Sequence, residues 1–233
     1  MRDLAEDPMT SPLPSVPDPT RGWILRFEAL HGHRTSLPVL FSELGAANGM
    51  RALVAVVRRQ ALGPDPLKPL GPDDPDDIED WLARRQLRPL LWLDAALVED
   101  LQLDDATRHR VLGAVVSATG AAFLGALFPA ITPDSWQKAT VDQRESLVRR
   151  TFRRFGNIAE ADVHIREDGV AFDVHRCRFH RMVNTLGRPD LAPLFCEADG
   201  VFFSRPGTNY AFSRSTTRAG GGEMCDFDLT WKE

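Results

Sequence analysis

The residues best suited to covalent chemistry are three cysteines, and all lie in the last quarter of the chain, at Cys177, Cys196 and Cys225. A thiolate is a strong nucleophile, and a nearby carboxylate can transfer protons while a bond breaks. Asp199 follows Cys196 by three positions and Asp226 directly follows Cys225, so each pair combines the two functions. A single cysteine is more often a small buried apolar residue, so it is the clustering that indicates a site.

The local structure predicted around each residue decides which of them can act together. Residues three apart on a helix share a face, so Cys196 and Asp199 can reach one substrate atom if their segment is helical. Neighbours on a strand point to opposite faces, so Cys225 and Asp226 enter one pocket only if a bulge intervenes. Cys177 stands where a strand becomes a helix, and the amides of a helix N-terminus stabilise a thiolate.

Three segments in a fixed order carry a resemblance to a known family: HRCRF at 175–179, LGRPDLAPLFCEADG at 186–200 and SRSTTRAGGGEMCDFDL at 213–229. Their combination resembles the C-terminal signature of the L-2-amino-thiazoline-4-carboxylic acid hydrolase family, over about a third of the chain. The resemblance implies a hydrolase, working without a cofactor, that opens a small carboxylate-bearing ring of the thiazoline, amidine or lactam type. The positions that match the motif are Cys177, Cys196, Asp199, Arg214, Thr217, Gly221, Cys225 and Asp226.

The resemblance also suggests a role for each matching residue. We favour Cys196 as the nucleophile and Asp199 as its acid–base partner, with Arg214 holding a substrate carboxylate. Cys177 is a close alternative as the nucleophile. Of the other matching positions, Cys225 and Asp226 are assigned to catalysis. Thr217 and Gly221 are assigned to substrate binding.

Two functions without this chemistry remain open. Cys177 and His180 form a C-x-x-H pair that, with Cys196 and Cys225, would complete a ligand set suited to zinc. Zinc sites usually show two close ligand pairs, and the sequence has one, so we favour the enzyme without a metal. A small-ligand-binding module without catalysis would fit if the cysteines are buried and unreactive.

The elements around the cysteines predict a small antiparallel sheet with two short helices. Alternating apolar residues flank Asp168-Gly169, which indicates a β-hairpin, and a second hairpin should join Tyr210–Ser213 to Cys225–Trp231. Helices are expected from about Cys177 to Leu186, and from Pro189 towards Ala198. Residues 157–233 therefore form an α+β region that carries the site.

The N-terminal two-thirds is predicted to be helical and to pack against this sheet, so the fold class is α+β. Residues 1–21, rich in Pro, Asp and Ser, are expected to be a disordered tail, followed by a helical region at 22–156. Its first long apolar stretch should break near Gly45, and the proline-rich segment at 63–77 is a loop.

Two stretches within the helical region allow different interpretations. The uncharged stretch from Val111 to Pro133 is long enough to cross a membrane, but Ala and Gly dominate it, so we favour a buried helix. The arginines between Pro133 and Phe155 are interpreted as a solvated helix face.

Composition limits the partners and the compartment. A formal net charge of -5 and a pI near 5.7 argue against nucleic acid, so a small-molecule substrate is favoured and a homo-oligomer is compatible. Three cysteines do not make a disulfide framework, and no secretory leader is recognised, so we expect a cytoplasmic protein. A phosphate-binding glycine loop or a dinucleotide fingerprint is not recognised, which agrees with the expected absence of a cofactor.

Overall fold

The computed structural model describes residues 11–14, 20–72, 77–155 and 158–232, and these form an α+β fold. Helices occupy most of the N-terminal part, and a four-stranded sheet with two short helices follows, as predicted from the sequence. The elements are α1 (Arg21–Phe27), α2 (His33–Leu62), α3 (Ile78–Ala95), α4 (Asp105–Leu127), α5 (Pro133–Lys138), α6 (Val141–Phe152), β1 (Ile158–Arg166), β2 (Gly169–Cys177), α7 (Arg178–Thr185), α8 (Ala192–Phe203), β3 (Tyr210–Ser213) and β4 (Cys225–Trp231).

The N-terminal helices begin and break where the sequence predicts. Asp77 caps α3 by accepting from two backbone amides, and Asp104 caps α4 in the same way from Thr107. Helix α2 is interrupted at Gly45, whose φ of 73° is the left-handed conformation that glycine adopts without strain. Most of the predicted tail, and residues 73–76 of the predicted loop, lie outside the described residues.

The sheet is antiparallel throughout, in the order β1-β2-β4-β3, and the two predicted hairpins supply its outer pairs. The central pair brings Val174 of β2 opposite Cys225 of β4. Residues of β4 alternate between buried and partly exposed, so Cys225 faces the interior while Asp226 faces away from it.

Two apolar clusters fill the interior. The sheet core combines the sheet with the C-terminal half of α4 and with α6, through residues such as Phe123, Phe172 and Phe227. The helical core combines α2, α3, α7 and the N-terminal half of α4, through residues such as Leu87 and Leu112. Helices α4 and α8 contribute to both cores, and the cysteines lie where the cores meet.

Helix α4 begins and ends six residues before the uncharged stretch that predicted it. It ends at Leu127 because Phe128 precedes a proline, which disfavours the helical conformation of the residue before it. Its small residues pack on α8: a methyl group added at Gly120 would lie 2.9 Å from the Cβ of Ala198.

By length and apolar composition alone, two stretches of the described residues could cross a membrane, Arg21–Leu62 and Asp105–Leu127. Of their most apolar windows, 22% and 28% respectively are buried within the protein. Parts of both stretches line a large cavity, described below.

The arginines between Pro133 and Phe155 do not form one solvated face, which corrects the sequence-based interpretation. The segment is two helices, α5 and α6, and Arg144 and Arg154 are buried. Arg144 donates to the carbonyl of Trp136 at 2.8 Å, and Arg154 donates to that of Leu127 at 3.2 Å. Both arginines are buried because they satisfy carbonyls at helix C-termini that have no partner within the helix.

Candidate active site

A small pocket between the sheet and helices α7 and α8 brings together four of the eight predicted site residues. Cys177, Cys196, Asp199 and Cys225 all line it. Its volume is about 40 Å³. This convergence requires the central pairing of the sheet, because Cys225 reaches α8 only when β4 lies beside β2.

Cys225 has the most polar surroundings of the three thiols. It opens β4, and the loop before it folds back so that the amide of Arg218 donates to its sulfur at 3.2 Å. The Cys196 thiol also hydrogen-bonds the Cys225 sulfur, and this contact is the largest cause that lowers the pKa of Cys225 below its ordinary value. Burial raises the pKa of Cys225, and the positive charges of Arg214 and Arg218 lower it.

The pKa of Cys196 shifts in the opposite direction. Its hydrogen bond to Cys225 is the largest cause that raises the pKa of Cys196, and burial raises it further. The two shifts are linked, because a negative charge on one sulfur disfavours a second charge on the other.

Cys177 is the N-cap residue of α7, as the sequence indicates, but its thiolate is not favoured. Burial raises the pKa of Cys177 to about 11, although the amides of His180 and Phe179 act in the opposite direction. The expectation that the helix N-terminus would stabilise this thiolate is therefore corrected: at this position desolvation outweighs the helix amides.

Asp199 lies one helical turn beyond Cys196 on α8, in the arrangement that its spacing predicts. Burial raises the pKa of its carboxyl to about 7, Arg214 opposes this shift, and Cys225 adds to it. A carboxyl with such a pKa can both donate and accept a proton near neutral pH.

Arg214 lies beside the site without lining the pocket. Its guanidinium donates to the carbonyl of Cys196 at 3.0 Å and lies 5.5 Å from the ring centre of Phe227. These contacts hold α8 against the sheet. The predicted contact of Arg214 with a substrate carboxylate stays a prediction.

Thr217 and Gly221 belong to the turn that precedes β4. The Thr217 hydroxyl accepts from the amide of Gly220 at 3.0 Å, and Gly221 ends the turn with a φ of 91°. Neither residue lines the pocket, but their turn presents Arg218, which does. The sequence analysis missed Arg218; its position directly after Thr217 and before the glycines was the available signal.

Asp226 does not share the pocket with Cys225. The two residues follow each other in an unbroken ladder, with no bulge between them, and point to opposite faces. The Asp226 carboxylate instead accepts from the amide and hydroxyl of Ser215 and from the amide of Thr216. These bonds lower its pKa and fix the start of the same turn.

The residues of the alternative zinc set also line the pocket, but their geometry is not that of a metal site. His180 faces it together with the three cysteines. Within the described ranges, no group of three or more His, Cys, Asp or Glu side chains is placed to hold a metal ion.

The fold and the pocket define an α+β protein with a paired-thiol and carboxyl site. A family model for L-2-amino-thiazoline-4-carboxylic acid hydrolase matches residues 110–229, which include every residue that lines the pocket. The chain therefore belongs to the L-2-amino-thiazoline-4-carboxylic acid hydrolase family, as the three sequence segments suggested. Comparison with curated proteins and with solved structures gave no match.

Proposed function

We propose that this protein hydrolyses a small cyclic compound, with Cys225 as the nucleophile and Asp199 as the acid–base group. Family membership supports a hydrolase at the level of the family. The observation that carries the assignment of residues is the Cys225 sulfur, which accepts from the Arg218 amide and the Cys196 thiol in the pocket that Asp199 also lines. Cys225 is preferred here to Cys196 because these donors favour its thiolate.

The chemistry begins at an amidine-type carbon of the ring. The Cys225 thiolate forms a bond to this carbon, and the carbon–sulfur or carbon–nitrogen bond of the ring breaks as protonated Asp199 gives its proton to the departing atom. The ring is then open and the carbon is attached to Cys225. Water attacks this carbon, the Asp199 carboxylate takes the proton of the water, and the Cys225 thiolate leaves. The net reaction adds one water.

Arg218 and His180 are the remaining polar groups on the pocket wall. A guanidinium binds a carboxylate through paired hydrogen bonds, so Arg218 is suited to orient a carboxylate-bearing ring. Three free thiols fit a reducing compartment, and we place the enzyme in the cytoplasm with a small-molecule substrate.

A panel of thiazolines, cyclic amidines and lactams, each with a carboxylate, tests the reaction by mass spectrometry. The expected result is a gain of one water from at least one ring, with turnover lowered by about a hundredfold or more in Cys225→Ser and in Asp199→Asn. Glu197→Gln is the matched control, because Glu197 lies exposed on the same helix between Cys196 and Asp199.

Alkylation with iodoacetamide, followed by peptide mapping, tests the choice of nucleophile independently of the substrate. The alkylation rate of Cys225, which is 6% exposed, should reach its plateau at a lower pH than the rates of Cys177 and Cys196, because only the thiolate of Cys225 is favoured. A plateau reached first by Cys196, together with full activity of Cys225→Ser, would overturn the assignment. No turnover of any ring would favour the ligand-binding module.

A further inference from the structure

A cavity of about 720 Å³ lies beside the cysteine pocket, between α2, α3 and α4. The two spaces share five wall residues, so they lie directly against each other, with only these side chains between them. The shared residues are Leu124, Phe155, Phe179, Phe195 and Asp199.

The size of the small pocket requires that a substrate extends beyond it. A single water occupies about 10–15 Å³ of such a volume, so about 40 Å³ holds only the few atoms that react. The rest of any substrate bound there lies outside it, and the adjoining large cavity offers the space. That cavity has the volume of a site for a much larger ligand than one ring.

The chemistry of the cavity wall determines what the extension can be. Aliphatic side chains such as Leu40, Leu53 and Val116 line it. Two of the three hydroxyls on the wall donate within their own helices, Thr119 to Val115 at 2.7 Å and Ser36 to Gly32 at 2.9 Å. Their donor protons are therefore engaged, so a polar extension would lose hydrogen bonds with water that these hydroxyls do not replace.

The two arginines of the wall are paired as well. Arg85 donates to Glu28, and Arg88 makes two hydrogen bonds to Asp65, at 3.0 and 3.2 Å. Carboxylates of the protein already bind both guanidinium groups, so the arginines are poorly suited to bind an anionic ligand. Helix α4 contributes small wall residues, Gly120 and Ala122, which leave the space open.

We infer that the large cavity binds an apolar alkyl or acyl chain carried by the substrate, whose reactive ring enters the cysteine pocket. The inference rests on the proposed function for the ring, and on the walls of the cavity for the chain. It places the substrate among amphiphilic molecules: a polar ring beside Cys225 and Asp199, and a hydrocarbon chain between α2 and α4.

Calorimetric titration of the full chain with butanamide, octanamide and dodecanamide tests the chain site without requiring turnover. Affinity should rise about fourfold for each methylene until the cavity is filled, the factor that corresponds to burying one methylene group. Ala122→Phe fills part of the cavity and should weaken dodecanamide binding by about tenfold or more, with little effect on butanamide. Ala126→Phe is the control, one turn further along α4 at an exposed position outside the cavity wall.

The same titrations separate this inference from the proposed reaction. Affinity that does not change with chain length, or an Ala122→Phe variant that binds dodecanamide like the wild type while circular dichroism shows both folded, would overturn the chain site. Chain-dependent binding without opening of any ring would support the chain site and count against the reaction. Ring opening without any dependence of binding on chain length would support the reaction and count against the chain site.

Discussion

At the scale of single residues, the site depends on two groups whose pKa values are shifted in opposite directions. Hydrogen bonds from Cys196 and from the Arg218 amide favour the charged form of Cys225. Burial favours the neutral form of Asp199 and raises its pKa to about 7. A thiolate beside a protonated carboxyl is the state that the first step of ring opening needs, and the protein favours it below neutral pH.

The dependence of kcat/KM on pH should therefore be bell-shaped, with its maximum below about pH 7. The acid side falls as Cys225 gains a proton, and the alkaline side falls near pH 7 as Asp199 loses the proton that it must donate. Rate measurements between about pH 5 and about pH 9 test this. In Asp199→Asn the remaining rate should no longer fall on the alkaline side. A fall that persists in this variant would identify a different acid.

The burial of Asp199 should also reduce stability at neutral pH. Because the folded-state pKa of Asp199 lies above the ordinary 3.8, protonation of its carboxyl stabilises the folded state. This stabilisation is complete below about pH 4 and is lost as the pH rises to about 7. The Asp199→Asn variant has no carboxyl to ionise, so it avoids this loss. Its unfolding free energy should exceed that of the wild type by an amount that grows over this pH window, to at most about 4 kcal/mol. Denaturant unfolding at acidic and at neutral pH measures it. An equal advantage in Glu197→Gln would contradict the argument.

The sequence identified part of this site because spacing is informative within one element. Cys196 and Asp199 were placed together by their separation on a helix, and the opposite directions of Cys225 and Asp226 by the alternation of a strand. The partnership of Cys196 with Cys225 was not predictable, because it depends on how β4 lies against α8. Arg218 acts partly through its backbone amide, which no side-chain pattern reveals.

At the scale of elements, the close contact of α4 with α8 positions the site. Gly120 lies against Ala198, and Ala198 precedes Asp199 on α8. Since no side chain separates the two helices at this point, a small change on α4 is transmitted to the carboxyl. The sequence predicted that this stretch is a buried helix, but the helix that it packs against is fixed only by the tertiary structure.

Gly120→Ala should lower turnover although Gly120 is not in the cysteine pocket. The added methyl would approach the Cβ of Ala198 to 2.9 Å, so α8 must shift, at a cost of about 1–2 kcal/mol in unfolding free energy. Adding Ala198→Gly removes the opposing methyl and should restore turnover. Steady-state kinetics and denaturant unfolding of both variants test this. A double variant no more active than Gly120→Ala would refute the packing explanation.

The hairpins were the most predictable elements, since two-residue alternation and an Asp-Gly turn are local signals. The burial of Arg144 and Arg154 was not predictable in this way. Their charge suggested solvent, and only the folded chain shows that each reaches the last carbonyls of a neighbouring helix. The end of α4 at Leu127 was not predicted either, although the proline that follows Phe128 was an available signal.

At the scale of the whole molecule, the apolar helices are tied to polar parts of the protein. A network of Asp94, Arg108, Arg188 and Asp190 joins α3 and the start of α4 to the segment before α8. Asp94 and Arg108 are buried in this network. A pair of this kind, held by elements on three sides, is more compatible with a protein core than with lipid.

We therefore expect the protein to be recovered from the soluble fraction without detergent. Recovery only from membranes would change the interpretation of α2 and α4.

Elemental analysis of the purified protein should show no stoichiometric zinc, because the candidate ligands lack the geometry of a metal site. About one zinc per chain, lost in Cys225→Ser, would instead favour a structural metal centre.

The sharing of α4 and α8 between the two cores has a consequence for unfolding. Leu112 of α4 lies in the helical core and Phe123 in the sheet core, and α8 likewise contributes Leu194 to one and Phe202 to the other. Neither core can lose its packing while both helices stay in place. The cores should therefore melt cooperatively, in one calorimetric transition whose measured enthalpy equals the van't Hoff enthalpy. An enzyme built in this way has no stable half, so heat should remove its activity and its helical structure at the same temperature.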